Sequence, residues 1–335
     1  MILARFIARR LVAMVGVLLA LAAVMFILQK LTRVDPVRAM LGPNAPPSAV
    51  AIERHRLGYD QPLVIQYLRY INDLLHGNLQ MSLRTRRPVR TDLATFLPAT
   101  AELAAVALMM SLIGGGILGV LTALRFRVAG VFRLVLVLGA STPSFLFAQL
   151  GLLIFYHRLH WLPATGQVDN SLSNVPNGPT HFLVIDSLLH AQVGVAWNAI
   201  LHLILPASCV AILAAVAIAR VLRSSLVETL QSDFIRTARS KGLSEFLVIW
   251  RHALRNAIGP AISMAGLQLG LMFAGVVVVE QIFAWPGIGN YVAESIPATD
   301  FPAIAGVTMV LGAAYVIINT TVDILHAVAD PRIEL

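Results

Sequence analysis

Six stretches of this chain run for about twenty residues without a charged side chain, long enough for each to cross a bilayer as a helix. They are Leu11–Gln29, Leu103–Leu124, Leu134–Tyr156, Ile200–Ala219 with a neutral His202 near one end, Asn256–Val279 and Phe301–Val322. Lipid offers no partner to a backbone N–H or C=O, so runs of this length must close their own hydrogen bonds as helices. The expected fold class is an all-α polytopic membrane protein with six transmembrane helices. Composition agrees: 58% of the residues are hydrophobic and only 13% charged, against about 25% charged in soluble domains.

The charges then set the topology. The chain carries a net +8, yet only Lys30 and Lys241 are lysines, and most of the basic residues flank the apolar runs. That layout fits membrane insertion and argues against a nucleic-acid partner. With the N-terminus inside, the inner segments hold Arg5, Arg9 and Arg10, then Arg125, Arg127 and Arg133, then the cluster from Arg220 to Arg255, and finally Arg332. The short outer loops, 157–199 and 280–300, hold only Arg158. Both termini are therefore expected in the cytoplasm, with the first run kept as an anchor because no small-residue cleavage site precedes Lys30. Cys209 is the single cysteine, so no disulfide can form within the chain.

Between the first two runs lies an outer-face segment, residues 32–96. Val50–Leu57 and Pro62–His76 carry helical apolar spacing, and Gly77 ends the second in the manner of a left-handed cap. The core is expected over 97–328, after a first part over 1–31, with a cytoplasmic tail at 329–335.

Enzymatic chemistry finds little support. Neither lysine follows a glycine, so no phosphate-binding Gly-Lys-Ser/Thr turn exists. The nine histidines show no metal-ligand spacing, and no Gly-x-Ser-x-Gly elbow occurs. Catalytic residues and metal ligands are accordingly expected to be absent. Gly114–Gly116 reads as a place where helices approach closely.

The polar segment 231–255, between two apolar runs, is the informative one. Ser232 or Asp233 can cap a helix that places Phe234, Ile235 and Ala238 on one face, with Arg236, Arg239 and Lys241 on its polar side. Gly242 supplies the stop, and Ser244 with Glu245 begins a second helix back toward the membrane. An apolar knob with a basic rim suits a groove on a soluble partner.

Here a resemblance becomes specific. Asp233-Phe234-Ile235-Arg236-Thr237-Ala238-Arg239-Ser240-Lys241-Gly242-Leu243 resembles the "EAA" loop of bacterial ABC-importer permeases, with Arg236, Thr237 and Ala238 at the triplet and Gly242 at the glycine. His252-Ala253-Leu254-Arg255-Asn256-Ala257 stands where the general consensus has Ile-x-Leu-Pro, as is common in the dipeptide/oligopeptide branch. Asp35-Pro36-Val37-Arg38 matches that branch with Val34 in place of a glycine. Leu57-Gly58-Tyr59-Asp60-Gln61-Pro62-Leu63, Leu97-Pro98-Ala99-Thr100, Ala284-Trp285-Pro286-Gly287-Ile288-Gly289 and Asp330-Pro331-Arg332 also match. The extra outer segment is that of the "B" subunit.

The resemblance implies the transmembrane domain of a type I ABC importer in a bacterial inner membrane, moving short peptides by alternating access. Its partners would be a second homologous permease, two ATPase subunits, a soluble or lipid-anchored substrate-binding protein, and membrane lipid. ATP and Mg would be held by the ATPases, with no cofactor in this chain. Nickel chelates, glutathione or another peptide-like solute are alternative cargoes. An ion-coupled secondary transporter is disfavoured by the lack of acids deep in a span.

Polar residues within the spans are candidates for the path. They are Ser141, Thr142 and Ser144 around Pro143, which is expected to kink the third span, with Gln149, Gln268, Glu280 at a cavity mouth, and Asn319. Helix–helix hydrogen bonding is the competing role for the Ser and Thr residues.

Overall fold

The computed structural model describes residues 2–31, 35–42, 44–124, 130, 142–172, 175, 176 and 178–329. In chain order the helices are α1 (Ile2–Leu31), α2 (Pro36–Leu41), α3 (Pro47–Leu57), α4 (Leu63–Leu75), α5 (Val89–Ala123) and α6 (Ser144–Gly151). They continue with α7 (Leu183–Leu189), α8 (Val193–Leu230), α9 (Asp233–Ser240), α10 (Glu245–Leu247), α11 (Leu254–Ile282), α12 (Ile288–Ser295) and α13 (Phe301–Ala329). Wider π-helical turns extend α6 through Leu152–Arg158 and join α10 to α11 through Val248–Ala253. Among the described residues the one β pairing is an isolated bridge between Met81 and Pro88.

Five helical segments are long and apolar enough to cross a membrane: Ala8–Leu31, Val89–Ala123, Val193–Leu230, Glu245–Phe273 and Phe301–Val322. They cover every expected run but the third, part of which, with Ser141, lies outside the described residues. Pro143 does not kink a continuous helix. It stands in extended backbone (φ −61°, ψ 146°) as the cap of α6, because its ring fixes φ but leaves ψ free to start a helix after it.

The chain divides into two compact units, 1–97 with 290–317, and 98–289 with 318–335. In the first, the outer-segment helices form where turn residues bracket apolar spacing. The Asp35 carboxylate accepts the Val37 N–H at 3.1 Å to open α2, and Gly58 and Gly77, both at φ +71°, stop α3 and α4. α4 packs on α1 through Phe26, whose ring meets Tyr67 at 5.4 Å and Tyr70 at 6.0 Å. The Lys30 ammonium lies 4.8 Å from the Tyr59 ring centre and donates to the Gln66 side chain. Asp92 and Asp300 are both fully buried. Asp92 accepts from Tyr291 Oη at 3.0 Å, and Asp300 caps α13 by accepting the Ala303 N–H at 3.3 Å. Burial, with the facing Asp92, pushes the Tyr291 phenol well above its ordinary range.

The second unit is built around α8, which buries Leu203, Val210, Ala214, Ile218 and Leu222 along its length. The small residues let α5 come close: a Cβ on Gly115 would lie 2.8 Å from the Ala215 carbonyl, and one on Gly119 would lie 3.0 Å from Leu222. Gly115 thus makes the close approach that the triple glycine implied, while Gly116 faces open space. Cys209 is buried in this core.

Candidate functional site: the elbow after the fourth apolar run

The polar segment folds as a helix, a turn and a second helix, all within the second unit. α8 ends at Leu230, and α9 begins one turn later. Ser232 occupies the cap position, but its hydroxyl donates backward to the Thr229 carbonyl at 2.6 Å instead of accepting from α9. That corrects the expected side-chain cap: the carbonyls at the end of α8 compete for the same hydroxyl and win. Asp233 sits in the first turn, where the helix dipole favours an acid, and pairs with Arg236 at 3.3 Å.

α9 stops as the sequence implies. Gly242 has φ +76°, and its N–H reaches the Arg239 carbonyl at 2.9 Å. Across the turn Arg239 grips Glu245 with two bonds, Nε to Oε1 at 2.7 Å and Nη2 to Oε2 at 3.2 Å. Ser244 precedes α10 with Glu245 in its first turn. From there the chain is helical without a loop to Ile282.

The apolar face does not project as one knob. Ile235 is fully buried and Ala238 is 7% exposed, both packed with Leu226, Val248, Ala253, Ala257 and Ala123. Phe234 stays 47% exposed. Successive helical residues turn by 100°, so Phe234 and Ile235 flank Ala238 on opposite sides, and only one flank can meet the bundle. The result is a short helix seated on α5, α8 and α11 by its aliphatic side. Phe234, Arg236, Thr237, Arg239 and Lys241 face out. Leu243 is half-buried against the same cluster. Phe246 and Trp250, 70% and 53% exposed with rings 6.0 Å apart, extend the outward aromatic surface. Their i, i+4 spacing is legible in the sequence.

Thr142 and Ser144 are half-buried beside Pro143, and Gln149 is exposed. Gln268 is half-buried and contacts Met264 Sδ at 3.7 Å, and Asn319 is half-buried on α13.

Glu280 is not at an open mouth. It is fully buried and accepts from Thr100 Oγ1 at 2.6 Å. The same Thr100 oxygen takes the Ile288 N–H at 2.9 Å, and Trp285 Nε1 donates to the Ala99 carbonyl at 2.9 Å. A Cβ on Gly287 would fall 2.1 Å from Glu280 Oε1, and one on Gly289 would fall 2.8 Å from Oε2. Leu97-Pro98-Ala99-Thr100 and Ala284-Trp285-Pro286-Gly287-Ile288-Gly289 are thus two halves of one clasp around a carboxylate. A buried charge persists only when it is bonded in this way.

Known proteins resemble this chain in sequence along nearly its whole length. Residues 115–335 match the description "Binding-protein-dependent transport system inner membrane component", and residues 3–104 match its N-terminal counterpart. The chain belongs to this family. Family members are transport components of the inner membrane, working with a substrate-binding protein and ATPase partners. A probable D,D-dipeptide transport system permease protein of Escherichia coli is 42% identical over 322 residues, 96% of this chain and 94% of that protein. A dipeptide transport system permease protein of Alkalihalophilus pseudofirmus is 37% identical over 97% of this chain and 98% of its own. A di/tripeptide transport system permease protein of Pseudomonas aeruginosa is 38% identical over 98% of each. The elbow and the 280–289 half of the clasp lie in the part that matches the family's main description, and the 97–100 half lies in the part that matches its N-terminal counterpart.

Proposed function

We propose that this chain is the "B"-type permease subunit of an ATP-driven importer of short peptides. One observation carries the reading: an exposed basic and aromatic helix is seated by Ile235 and Ala238 on the ends of three long helices. A partner pressing on that outer face moves α5, α8 and α11 together, because side chains packed at interior density transmit displacement. The names of the relatives, all of dipeptide or di/tripeptide permeases, support the cargo class.

In the assembled importer six spans cross the membrane, with the outer segment 32–96 outside and both termini inside. A second homologous permease completes the pathway, and each permease docks one ATPase at its elbow. ATP and Mg bind to the ATPases, and this subunit has no catalytic role. A binding protein delivers the peptide from outside. Thr142, Ser144, Gln149, Gln268 and Asn319 remain candidates for the path, whereas Glu280 holds the clasp.

The test uses the reconstituted importer in liposomes. Phe234→Asp with Arg236→Glu changes only exposed side chains, so the subunit should insert and melt as the wild type does. Peptide uptake should fall at least about tenfold, as expected from losing central interface anchors. ATPases that stay bound and coupled to the double variant would overturn the docking role. Nucleotide turnover by the purified chain alone would overturn the assignment as a motorless subunit.

A further inference from the structure

The first unit holds a half-open cavity of about 330 Å³ that the import reading does not use. That volume lies at the low end of the range for small-molecule sites. Its polar lining includes Gln29, Tyr59, Asp73, Asn78, Gln80 and Thr299, and its apolar lining includes Leu57, Met81 and Phe301.

Three observations mark it as more than a packing gap. The half-buried Asp73 carboxylate faces the Tyr59 phenol electrostatically but makes no side-chain hydrogen bond or ion pair among the described residues, although Arg69 stands one turn before it. The Arg69 guanidinium is turned instead to the Leu57 carbonyl at 3.0 Å. Gln80 and Thr299, both lining residues, hold φ of +64° and +51°, a conformation costly for residues with a Cβ. Beside the cavity, in two smaller spaces that share Gln80, the Tyr70 hydroxyl is buried without a partner, and burial pushes its pKa up to about 12.

A half-buried carboxylate with no paired cation, beside an apolar lining, favours a cation of modest size. The other polar groups narrow the choice. Asn78 Oδ1 accepts the Gln80 N–H at 3.1 Å, which leaves the Asn78 amide N–H₂ free to donate, and the Gln80 side chain offers both a donor and an acceptor. That pair matches a peptide group. A phosphate-bearing lipid head would need a cation in the lining, and Arg69 faces away.

We propose that this cavity binds the amino-terminal residue of a short peptide. The α-ammonium pairs with Asp73, the first peptide group meets Asn78 and Gln80, and an apolar first side chain lies among Leu57, Met81 and Phe301. This rests on the peptide-import reading and adds to it a place where a free amine and an apolar first residue are recognised on the permease itself.

Calorimetric titration of the full chain in phosphatidylglycerol nanodiscs with Leu-Ala and with N-acetyl-Leu-Ala tests the site. Leu-Ala should bind, and acetylation should weaken binding about tenfold or more, the loss expected for one charge-assisted bond. Asp73→Asn should give the same loss, as should Met81→Trp, which fills the cavity without touching the carboxylate. Equal affinity for the two peptides, or unchanged affinity in either folded variant, would overturn the proposal. So would displacement of Leu-Ala by phosphatidylethanolamine added to the nanodiscs, which would give the cavity to lipid. Should Asp73→Asn not fold, the acetylated peptide on the wild type and the Met81→Trp variant decide the matter. Uptake by the reconstituted importer separates the two readings: Leu-Ala imported normally without direct binding defeats the cavity alone. Binding here without any peptide uptake defeats the import reading and leaves the cavity standing.

Discussion

The elbow and the Trp285 clasp lie in the same unit and use polar groups in opposite ways. In the clasp, Glu280 and Thr100 are taken out of solvent and bonded to each other, and the buried Trp285 indole donates to the Ala99 carbonyl. At the elbow, Asp233, Arg236 and Arg239 stay exposed, and burial is left to Ile235 and Ala238. A polar network closed on itself fixes one arrangement, since any member left unpaired is costly. A polar surface over an apolar seat can exchange partners without loosening its attachment. The first arrangement suits a joint that must hold through every state, the second a contact that is made and released.

The largest expected effect lies at the clasp. Gly287→Leu drives carbon into the Glu280 carboxylate and should cost about 3 kcal/mol or more, so that little folded protein survives extraction. Thermal melting in detergent reads the loss, and a near-normal melting point would mean that the clasp is looser than its distances imply. Next is the seat of the elbow. Ile235→Ala should destabilise by about 2–4 kcal/mol. It should also slacken the link between ATP turnover and uptake, measured as peptide moved per ATP. Full stability with lost coupling would show that the seat transmits force without bearing load.

Trp285→Phe removes a single donor to the Ala99 carbonyl while keeping an aromatic ring, and should cost about 1 kcal/mol. Transport should be kept once the protein has folded. Smallest is Arg239→Gln, which breaks an exposed pair with Glu245 worth less than about 1 kcal/mol. The difference from wild type should vanish in high salt. A large, salt-independent loss there would mean that the elbow's exposed charges are structural after all, and the contrast with the clasp would fail.

Much of this was legible in the sequence because it depends on neighbours in the chain. Apolar runs mark helices, and a glycine after a polar helical stretch marks the left-handed stop at Gly242. The helices of the outer segment follow from local spacing in the same way. What the sequence left open depends on distant partners. The burial of Glu280 requires Thr100, 180 residues away, and nothing near either residue announces the other. The facing of Ile235 and Ala238 depends on which side of α9 meets the bundle, a choice that an amphipathic pattern leaves undetermined. Ser232 is an exception to that rule: residue type offers Ser232 or Asp233 as a cap, and the competing carbonyl of Thr229 is a near neighbour in the chain. Hydropathy places Pro143 inside a span because it carries no information on ψ, which is 146° there.

The two lysines of the chain have opposite surroundings. Lys30 is hemmed in by Phe26, Tyr59 and the Gln66 amide, while Lys241 stands in solvent beside Gly242. Gentle acylation should therefore tag position 241 well ahead of position 30, and mass spectrometry of the tagged peptide then becomes a footprint of the elbow. Shielding that rises and falls over a turnover cycle would give a direct clock for when the elbow is covered.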